Sequence, residues 1–291
     1  MEILVAMAVL AVLVILLGGI VRQVSGAWVS GEARTRNRES GRTVADFIAR
    51  ELQGALLPID PGTPGLQWVL NPASVPASVK NPDALFWQAP LATRRAYGDL
   101  AEIGYFVRWD MATPDRPRAK LCRFFVNPAI PDPDQPGESL PNPQFRIHDQ
   151  PEGWLSETIL DEAAPADRAN DFRGLFAENV LGLWVRCFDP RGEVISGSES
   201  GGTFDSRAGY TIKGTKEDRP LPAMVEIGFV VADPRSADLI DTAMQALIVA
   251  QVRQAGTAAA FLQWASGDDR MRALRPGLRA HTKTVNLLNA R

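Results

Sequence analysis

The chain has 291 residues, of which 45% are hydrophobic and 22% are charged. These proportions are typical of a globular protein and exclude a wholly disordered or fibrous chain. The 31 Lys and Arg residues are outnumbered by 34 Asp and Glu residues, so the formal net charge is -3. Without a surplus of positive charge for neutralising phosphates, nucleic acid is excluded as the expected partner.

The first predicted element is an apolar run over residues 3–21, which contains no charged or strongly polar side chain. A helix over this run is about 28 Å long, close to the thickness of the hydrocarbon core of a bilayer. A buried helix of that length in a globular domain normally has a polar face, which this run lacks. A cleavable signal peptide is the alternative, but its apolar region is shorter and follows basic residues. The run therefore predicts a membrane-spanning helix.

The charges that flank this run are unusual for a simple membrane anchor. Glu2 directly precedes the run, where a carboxylate is costly unless a positive charge neutralises it. Between Arg22 and Arg50 there are six arginines and three acidic residues. By the positive-inside rule alone, this excess would place the C-terminal body in the cytoplasm. A short basic leader before Met1 would account for both features.

The segment EILVAMAVLAVLVILL at residues 2–17 resembles the N-terminus of type IV pilins and type II secretion pseudopilins. In that family a prepilin leader ends in glycine, and a conserved glutamate is the fifth residue of the mature chain. Glu2 aligns with this glutamate, so the resemblance implies that Met1 is the fourth mature residue. It also implies that Glu2 pairs with the terminal amine of a neighbouring subunit and sets the register of a filament. The alternative is that Glu2 lies in the lipid headgroup region.

Beyond the apolar run, an amphipathic pattern extends towards a cluster of prolines and glycines. Val44, Ile48 and Leu52 recur at helical spacing, and Pro58 ends the pattern. The sequence thus predicts one long helix ending at residue 57, whose second half the resemblance places on an antiparallel sheet. A separate membrane helix followed by a loop and a short helix is the alternative.

The remainder of the chain contains apolar runs that are typical of β-strands. The run at residues 103–111 alternates between apolar and polar side chains, except at Phe106. Towards the C-terminus, a helix is predicted to start with Ser236 as its N-cap and to continue through residue 264. Further strands are predicted at residues 84–88, 121–126, 180–188, 224–232 and 281–288, and a short helix at residues 268–274.

The predicted fold class is therefore α+β, with a pilin-like long N-terminal helix packed on an antiparallel sheet and with extra C-terminal helices. Residues 1–57 form the helix, which spans the membrane at residues 3–21. Residues 58–291 form the globular domain, which the resemblance places outside the cytoplasm.

Three phrases of the body resemble a narrower family, Verru_Chthon cassette protein C, whose members are pilin-like. They are FAENV at residues 176–180, LPAMVEI at residues 221–227 and TVNLLNAR at residues 284–291. The resemblance implies a structural, non-enzymatic minor pilin or pseudopilin of a type IV pilus-like or type II secretion-like filament, placed at the tip or in initiation.

The same resemblance implies a location and a set of partners. The chain is expected to cross the cytoplasmic (inner) membrane once, with a periplasmic C-terminal domain. The implied partners are other pilin-like subunits, a prepilin peptidase, an assembly platform with its ATPase, and the lipid bilayer. A membrane-tethered periplasmic binding or sensor domain that does not polymerise is the alternative.

Few side chains in the sequence suggest chemistry. Cys122 and Cys187 lie in predicted strands, where one disulfide and two buried free thiols fit equally well. His148 and His281 are the two histidines of the chain, and neither has a second metal ligand at a suitable spacing. Both histidines are therefore expected at the surface. The sequence also contains no recognised catalytic, phosphate-binding or dinucleotide-binding motif.

Two acidic loops contain oxygen ligands of the kind that Ca²⁺ prefers. Some pseudopilins bind calcium, so the resemblance makes a calcium site admissible, although neither loop has a recognised ligand spacing. Solvated acidic loops are the simpler interpretation, and the sequence predicts no cofactor. The acidic residues are Asp132, Asp134 and Glu138 in the first loop and Asp161, Glu162, Asp167 and Asp171 in the second.

Overall fold

A computed structural model describes most of the chain beyond residue 40. Apart from Glu39, the described residues belong to one compact unit, Gly41–Arg291. The predicted membrane span at residues 3–21 lies outside them, as does Glu2. The described residues are 39, 41–56, 66–110, 116–147, 150, 153–167, 169–170, 173–195, 197–208, 210–212, 215–217 and 221–287.

The body contains fourteen described strands, most of them in two antiparallel sheets. They are β1 (Val69–Leu70), β2 (Ala84–Ala89), β3 (Ala101–Asp110), β4 (Arg118–Val126), β5 (Ala129–Pro131), β6 (Ser139–Pro141), β7 (Ala169–Asn170), β8 (Arg173–Glu178), β9 (Val180–Phe188), β10 (Phe204–Asp205), β11 (Tyr210–Ile212), β12 (Thr215–Glu217), β13 (Met224–Ala232) and β14 (Leu278–Asn286). A seven-stranded sheet has the order β10-β1-β2-β3-β4-β8-β7, and a three-stranded sheet has the order β14-β13-β9. Strands β5 and β6 pair with each other, as do β11 and β12.

The seven-stranded sheet is covered on both faces, which explains the break in the alternating pattern of β3. Ile103 and Tyr105 belong to the larger hydrophobic core on one face, whereas Phe106 belongs to a second core on the other. Because successive side chains of a strand point to opposite faces, a strand between two cores is apolar on both. Phe106 is therefore a regular member of the strand.

Residues 142–147 and 153–164, which we call the covering segment, close the second core. Trp154 packs edge-on against Phe124 of β4, with 6.2 Å between ring centroids. The segment is also held by Glu102 of β3, whose Oε1 accepts hydrogen bonds from the backbone N–H groups of Arg146 at 3.1 Å and Ile147 at 3.0 Å. Burial raises the pKa of Glu102 to about 8. No described group is hydrogen-bonded to its Oε2.

The chain passes from the larger to the smaller sheet at Asn179, between β8 and β9. This residue has a φ of 60°, a left-handed conformation that asparagine tolerates better than most residues. A second connection is made by Asp83, whose carboxylate accepts from the backbone N–H groups of Val185 and Gly201, each at 2.8 Å. Burial raises the pKa of Asp83 to about 6. The two sheets are thus joined by both the chain and a buried carboxyl group.

The helices are distributed along the chain. Helix α1 covers residues 41–53, α2 covers Glu157–Ala163, α3 covers Pro234–Ala237, α4 covers Thr242–Gln254 and α5 covers Ala258–Gly267. Helices α3 to α5 lie in the sequence between β13 and β14, which are hydrogen-bonded neighbours. Helix α5 packs against the three-stranded sheet, where Phe261 contacts Trp184 with 5.9 Å between ring centroids.

The predicted continuous C-terminal helix is wrong, because the structure divides it into three. Asp233, and not Ser236, caps α3 by accepting from the backbone N–H of Ser236 at 2.7 Å. Asp241 and Thr257 then cap α4 and α5. The backbone N–H groups in the first turn of a helix have no partner within the helix. The side chain of each of these three residues accepts a hydrogen bond from one such N–H, so each residue begins a separate helix. The short helix predicted at 268–274 is replaced by 3-10 turns at Asp269–Met271 and Arg275–Gly277.

The predicted fold class is also wrong. The described body is a mixed α/β fold with a large antiparallel sheet, and it does not show the long N-terminal helix of the prediction. Helix α1 ends at Gln53 and not at residue 57, because the backbone N–H of Leu56 already donates to Gln88 of β2 at 3.2 Å. Within the described residues, no helix combines the length and the apolar character needed to cross a bilayer.

Candidate functional sites

A buried ionic network attaches α1 to the seven-stranded sheet. Arg123 of β4 is 3% exposed, and its Nε donates to Oε2 of Glu51 on α1 at 3.1 Å. Its Nη2 also donates to Oε1 of the same carboxylate. Tyr105 of β3 donates its hydroxyl proton to Glu51 Oε2 at 2.5 Å. The bidentate contact between the guanidinium of Arg123 and the carboxylate of Glu51 fixes both the position and the orientation of α1.

Apolar contacts surround this network. The guanidinium of Arg123 lies over the ring of Phe125, 4.0 Å from its centroid, and Ile48 and Leu52 of α1 are buried in the larger core. Such packing excludes water, which strengthens the attraction between the two charges but leaves either charge costly without the other. The attachment of α1 therefore requires both charges, because either one alone would be buried without a partner of opposite charge.

Helix α1 also contacts β14 of the smaller sheet. Asp46 accepts from Lys283 Nζ at 2.8 Å, an exposed contact of the kind that adds little stability. Gly41 faces His281, and a Cβ on Gly41 would lie 2.2 Å from the imidazole Nε2. His281 is stacked on Phe229 at 5.3 Å and half-buried, and burial lowers its pKa. The predicted surface position of His281 is thus wrong, whereas His148 lies outside the described residues.

This network was not predicted from the sequence, although the positions of Arg123 and Glu51 indicate it. Arg123 lies on the same side of its strand as Leu121 and Phe125, which predicts a buried face. Glu51 lies beside Leu52 on the apolar side of α1. A charged residue at an apolar position requires a partner of opposite charge, and two such residues in one chain are natural candidates for each other.

The two cysteines are free thiols and do not form the disulfide that the sequence permits. Cys122 belongs to the second core and Cys187 to the larger core, so the seven-stranded sheet separates them. Burial raises the pKa of Cys122 to about 11 and that of Cys187 well above its usual value. Both thiols are consequently protonated and shielded at neutral pH, which makes them poor nucleophiles.

We expect the native protein, purified without reductant, to react with the thiol reagent DTNB at fewer than about 0.2 thiols per chain. After denaturation, Cys122 and Cys187 should both react, because unfolding exposes them and restores their ordinary pKa. Absorbance of the released thiolate measures both values. Failure of the denatured chain to react would instead indicate a disulfide.

The first acidic loop does not bring its carboxylates together around one point. Asp132 Oδ1 accepts from the backbone N–H of Asp134 at 2.8 Å, which is a local turn contact. The second predicted loop is wrong at Asp161 and Glu162, which lie on α2: Asp161 pairs with Arg108 at 2.8 Å, and Glu162 accepts from Gln144 at 2.6 Å. Among the described residues, no group of three His, Cys, Asp or Glu side chains is placed to hold a metal ion. Asp171 lies outside these residues.

A cleft of about 460 Å³ opens between α2, α4, the end of β3 and the 3-10 turn Ala77–Val79. Its volume is within the range of small-molecule sites. The cleft is bridged at two points: Arg108 pairs with Asp161, and Arg253 Nη2 donates to the carbonyl of Ala77 at 3.1 Å. Its lining residues are Pro76, Ser78, Val79, Asn81, Arg108, Trp109, Glu157, Leu160, Asp161, Gln245, Val249 and Arg253.

Two residues that line this cleft have polar atoms without a described partner. The amide nitrogen of Asn81, a residue 1% exposed, donates to the carbonyls of Ser78 and Val107, each at 2.9 Å. Because both hydrogens are used and both acceptors are carbonyls, the amide orientation is fixed. Within the described part of the chain, neither Asn81 Oδ1 nor Trp109 Nε1 has a hydrogen-bond partner. Both atoms are themselves buried, so neither is exposed to the cleft.

No family model, curated protein or solved structure matches this chain. The pilin-like resemblance consequently depends on the sequence phrases themselves, chiefly the apolar segment that follows Glu2.

Proposed function

We propose that the chain is a structural minor pilin or pseudopilin subunit of a type IV pilus-like or type II secretion-like filament, with a role at the tip or in initiation. Residues 3–21 anchor it in the cytoplasmic membrane, and its body lies in the periplasm. Other pilin-like subunits, a prepilin peptidase and an assembly platform with its ATPase are its partners. The N-terminal sequence motivates this proposal.

The observation that best supports the proposal is the attachment of α1 to the body. A subunit that is extracted from a bilayer must transmit force from its anchoring segment to its folded domain. The buried pair of Glu51 and Arg123, together with the apolar side of α1, fixes α1 to the seven-stranded sheet, and such a connection suits a helix that is pulled. A domain that is only tethered needs no such connection, since a flexible linker serves equally well.

Replacing Glu2 with alanine tests the proposal, because Glu2 is the residue assigned to subunit register. In native membranes, site-specific cross-links between the chain and other pilin-like subunits should fall at least about tenfold, as expected for loss of a charge pair in an apolar medium. Glu32→Ala, which removes a carboxylate beyond the apolar run, is the matched control and should leave the cross-links intact. Alkaline extraction verifies that both variants remain in the membrane.

Undiminished cross-linking of Glu2→Ala would refute the register role of Glu2. If cross-links to other subunits are missing even in the unaltered chain, the filament proposal fails. The alternative, a tethered periplasmic binding or sensor domain that does not polymerise, would then replace it.

A further inference from the structure

We propose that the open edge of β14 binds an extended, acidic segment of a partner protein as an additional strand. Strand β14 lies at one edge of the three-stranded sheet, whose order is β14-β13-β9. Backbone hydrogen bonding and charge in the described body support this site, which does not depend on the filament proposal.

The direction of the backbone groups of β14 follows from the hydrogen bonds at its two ends. The backbone N–H of Leu287 donates to the carbonyl of Ala223, and that of Asp233 donates to the carbonyl of Gly277, each at 3.0 Å. Backbone groups point alternately to the two sides of an antiparallel strand, so the odd-numbered residues of β14 bond to β13 and the even-numbered residues point away from it. No described group is hydrogen-bonded to the outward N–H and C=O groups of the even-numbered residues from 280 to 286.

The opposite edge of the same sheet is closed by the body itself. The backbone N–H of Leu183 in β9 donates to the carbonyl of Asn81 at 2.7 Å, and that of Val185 donates to Asp83 Oδ2 at 2.8 Å. The outer strands of the seven-stranded sheet, β7 and β10, have two residues each. Among the described strands of the two sheets, β14, with nine residues, is therefore the long edge strand that the body leaves open.

Strand β14 also lacks the features that usually keep an edge from accepting another strand. It contains no proline, and its pairing with β13 runs from end to end without a bulge. A lysine can protect an edge, but Lys283 Nζ pairs with Asp46 of α1 at 2.8 Å. Thr282 and Thr284 are exposed, and threonine favours strands. The edge is therefore suited to pairing with a further strand.

The charges beside this edge favour an acidic partner. Arg42 and Lys283 share one carboxylate, that of Asp46, whose Oδ2 lies 3.8 Å from Arg42 Nε. Arg279 is partly exposed and has no ion-pair partner among the described residues. Strand β14 itself contains no acidic residue. Alternate side chains of an added strand would lie beside Arg279 and Lys283, so carboxylates at those positions would be attracted.

The same charges disfavour a second copy of this chain as the occupant. An antiparallel second β14 would bond through its own even-numbered residues, which places the odd-numbered side chains of both strands on one face. Arg279 and Lys283 of each copy would then share that face, and like charges on neighbouring strands are destabilising. An acidic strand meets attraction at the same positions.

Fluorescence anisotropy of a labelled peptide tests the site, with the full chain in non-ionic detergent. The peptide alternates threonine and glutamate over about eight residues, the length needed to pair with residues 280–286. We expect saturable binding with a dissociation constant below about 1 mM. A peptide with lysine in place of glutamate should bind at least about tenfold more weakly, because two attractions become repulsions. The glutamate peptide with every backbone nitrogen methylated keeps its charge but donates no backbone hydrogen bond, so its binding should also be lost.

Thr284→Pro removes one outward N–H group and leaves the hydrogen bonds between β13 and β14, which the odd-numbered residues make. It should weaken binding of the glutamate peptide at least about tenfold. Thr284→Ala keeps the backbone N–H and is the matched control, which should bind as the unaltered chain does. Tryptophan fluorescence verifies that both variants fold. Arg279→Glu, which leaves the backbone of the edge intact, is a second test and should weaken the glutamate peptide about fivefold.

Several results would overturn the inference. They are no saturable binding, equal binding of the methylated or the lysine peptide, and undiminished binding by folded Thr284→Pro or by Arg279→Glu. Self-association of the chain that Thr284→Pro abolishes would make a second copy the occupant and would also overturn it. Glu2→Ala should bind the glutamate peptide as the unaltered chain does, so failure of this site can be distinguished from failure of the filament proposal.

Discussion

Replacing Glu51 with alanine is expected to destabilise the body by about 3–5 kcal/mol, the range found when one partner of a buried ion pair is removed. The substitution leaves the guanidinium of Arg123, which is 3% exposed, without its carboxylate. It also removes the acceptor of the Tyr105 hydroxyl. Guanidinium-induced unfolding of the full chain in detergent, followed by tryptophan fluorescence, measures the change.

Two controls separate the buried charge from the loss of side-chain volume. The pair Glu51→Leu with Arg123→Met removes both charges and should recover most of the lost stability, since apolar replacements of buried ion pairs are often neutral. Asp46→Ala breaks the exposed contact with Lys283 and should cost no more than about 1 kcal/mol. Equal losses for Asp46→Ala and Glu51→Ala would contradict the assigned role of Glu51.

The second large effect expected is a pH dependence of stability that Glu102→Gln reduces, most strongly above about pH 6, where the contribution of Asp83 is complete. The pKa of Glu102 is raised from 4.5 to about 8 by burial, so the folded chain retains a proton that the unfolded chain releases between these values. The free energy of unfolding therefore decreases as pH rises from about 4.5 to about 8. The expected decrease is about 2–4 kcal/mol.

Glutamine at position 102 cannot ionise, and its amide oxygen can still accept from Arg146 and Ile147. Unfolding measured from pH 4 to pH 9 should show a flatter profile for this variant, which should be the more stable protein at pH 9. Asp99→Asn, at an exposed position, is the control and should retain the original slope. A variant with the original slope would show that another group causes the pH dependence.

Strands that are buried on both faces were the most predictable part of the fold. The predicted strands at residues 180–188 and 224–232 match β9 and β13 at both ends. Both are apolar except at Arg186 and Glu226, which pair with each other, and both contain β-branched and aromatic residues that favour strands. The strand predicted at residues 121–126 is confirmed but begins earlier, at Arg118, because Arg118 pairs with Asp110 of β3.

Features that depend on contacts between distant segments were not predictable. The proline at position 58 suggested a helix end at residue 57, but the hydrogen bond of Leu56 to Gln88 of β2 ends the helix earlier. In contrast, the sequence contains a signal for the starts of α4 and α5, since Asp241 and Thr257 are residue types that favour the N-cap position. The apolar pattern continues across both helix starts, so its periodicity alone predicts one continuous helix.

The cleft could not be predicted from the sequence in any part. Asn81, Trp109, Asp161 and Arg253 belong to four segments, and no spacing in the sequence relates them. Their common position follows from the packing of α2 on the second core and of α4 against β9 of the smaller sheet. Single residues of these types are ordinary surface residues until a fold brings them together.

The insertion of α3 to α5 between β13 and β14 has a consequence for the order of folding. Strand β14 supplies Lys283 and His281, which contact α1 near the other end of the described chain. Contacts between such distant segments form slowly, because a long loop must close first. We expect α1 to pack on the seven-stranded sheet first, through Glu51 and Arg123, and its contacts with β14 to form last. Truncation before Leu278 should therefore expose β13, the hydrogen-bonded neighbour of β14, to proteolysis while α1 stays protected by the seven-stranded sheet.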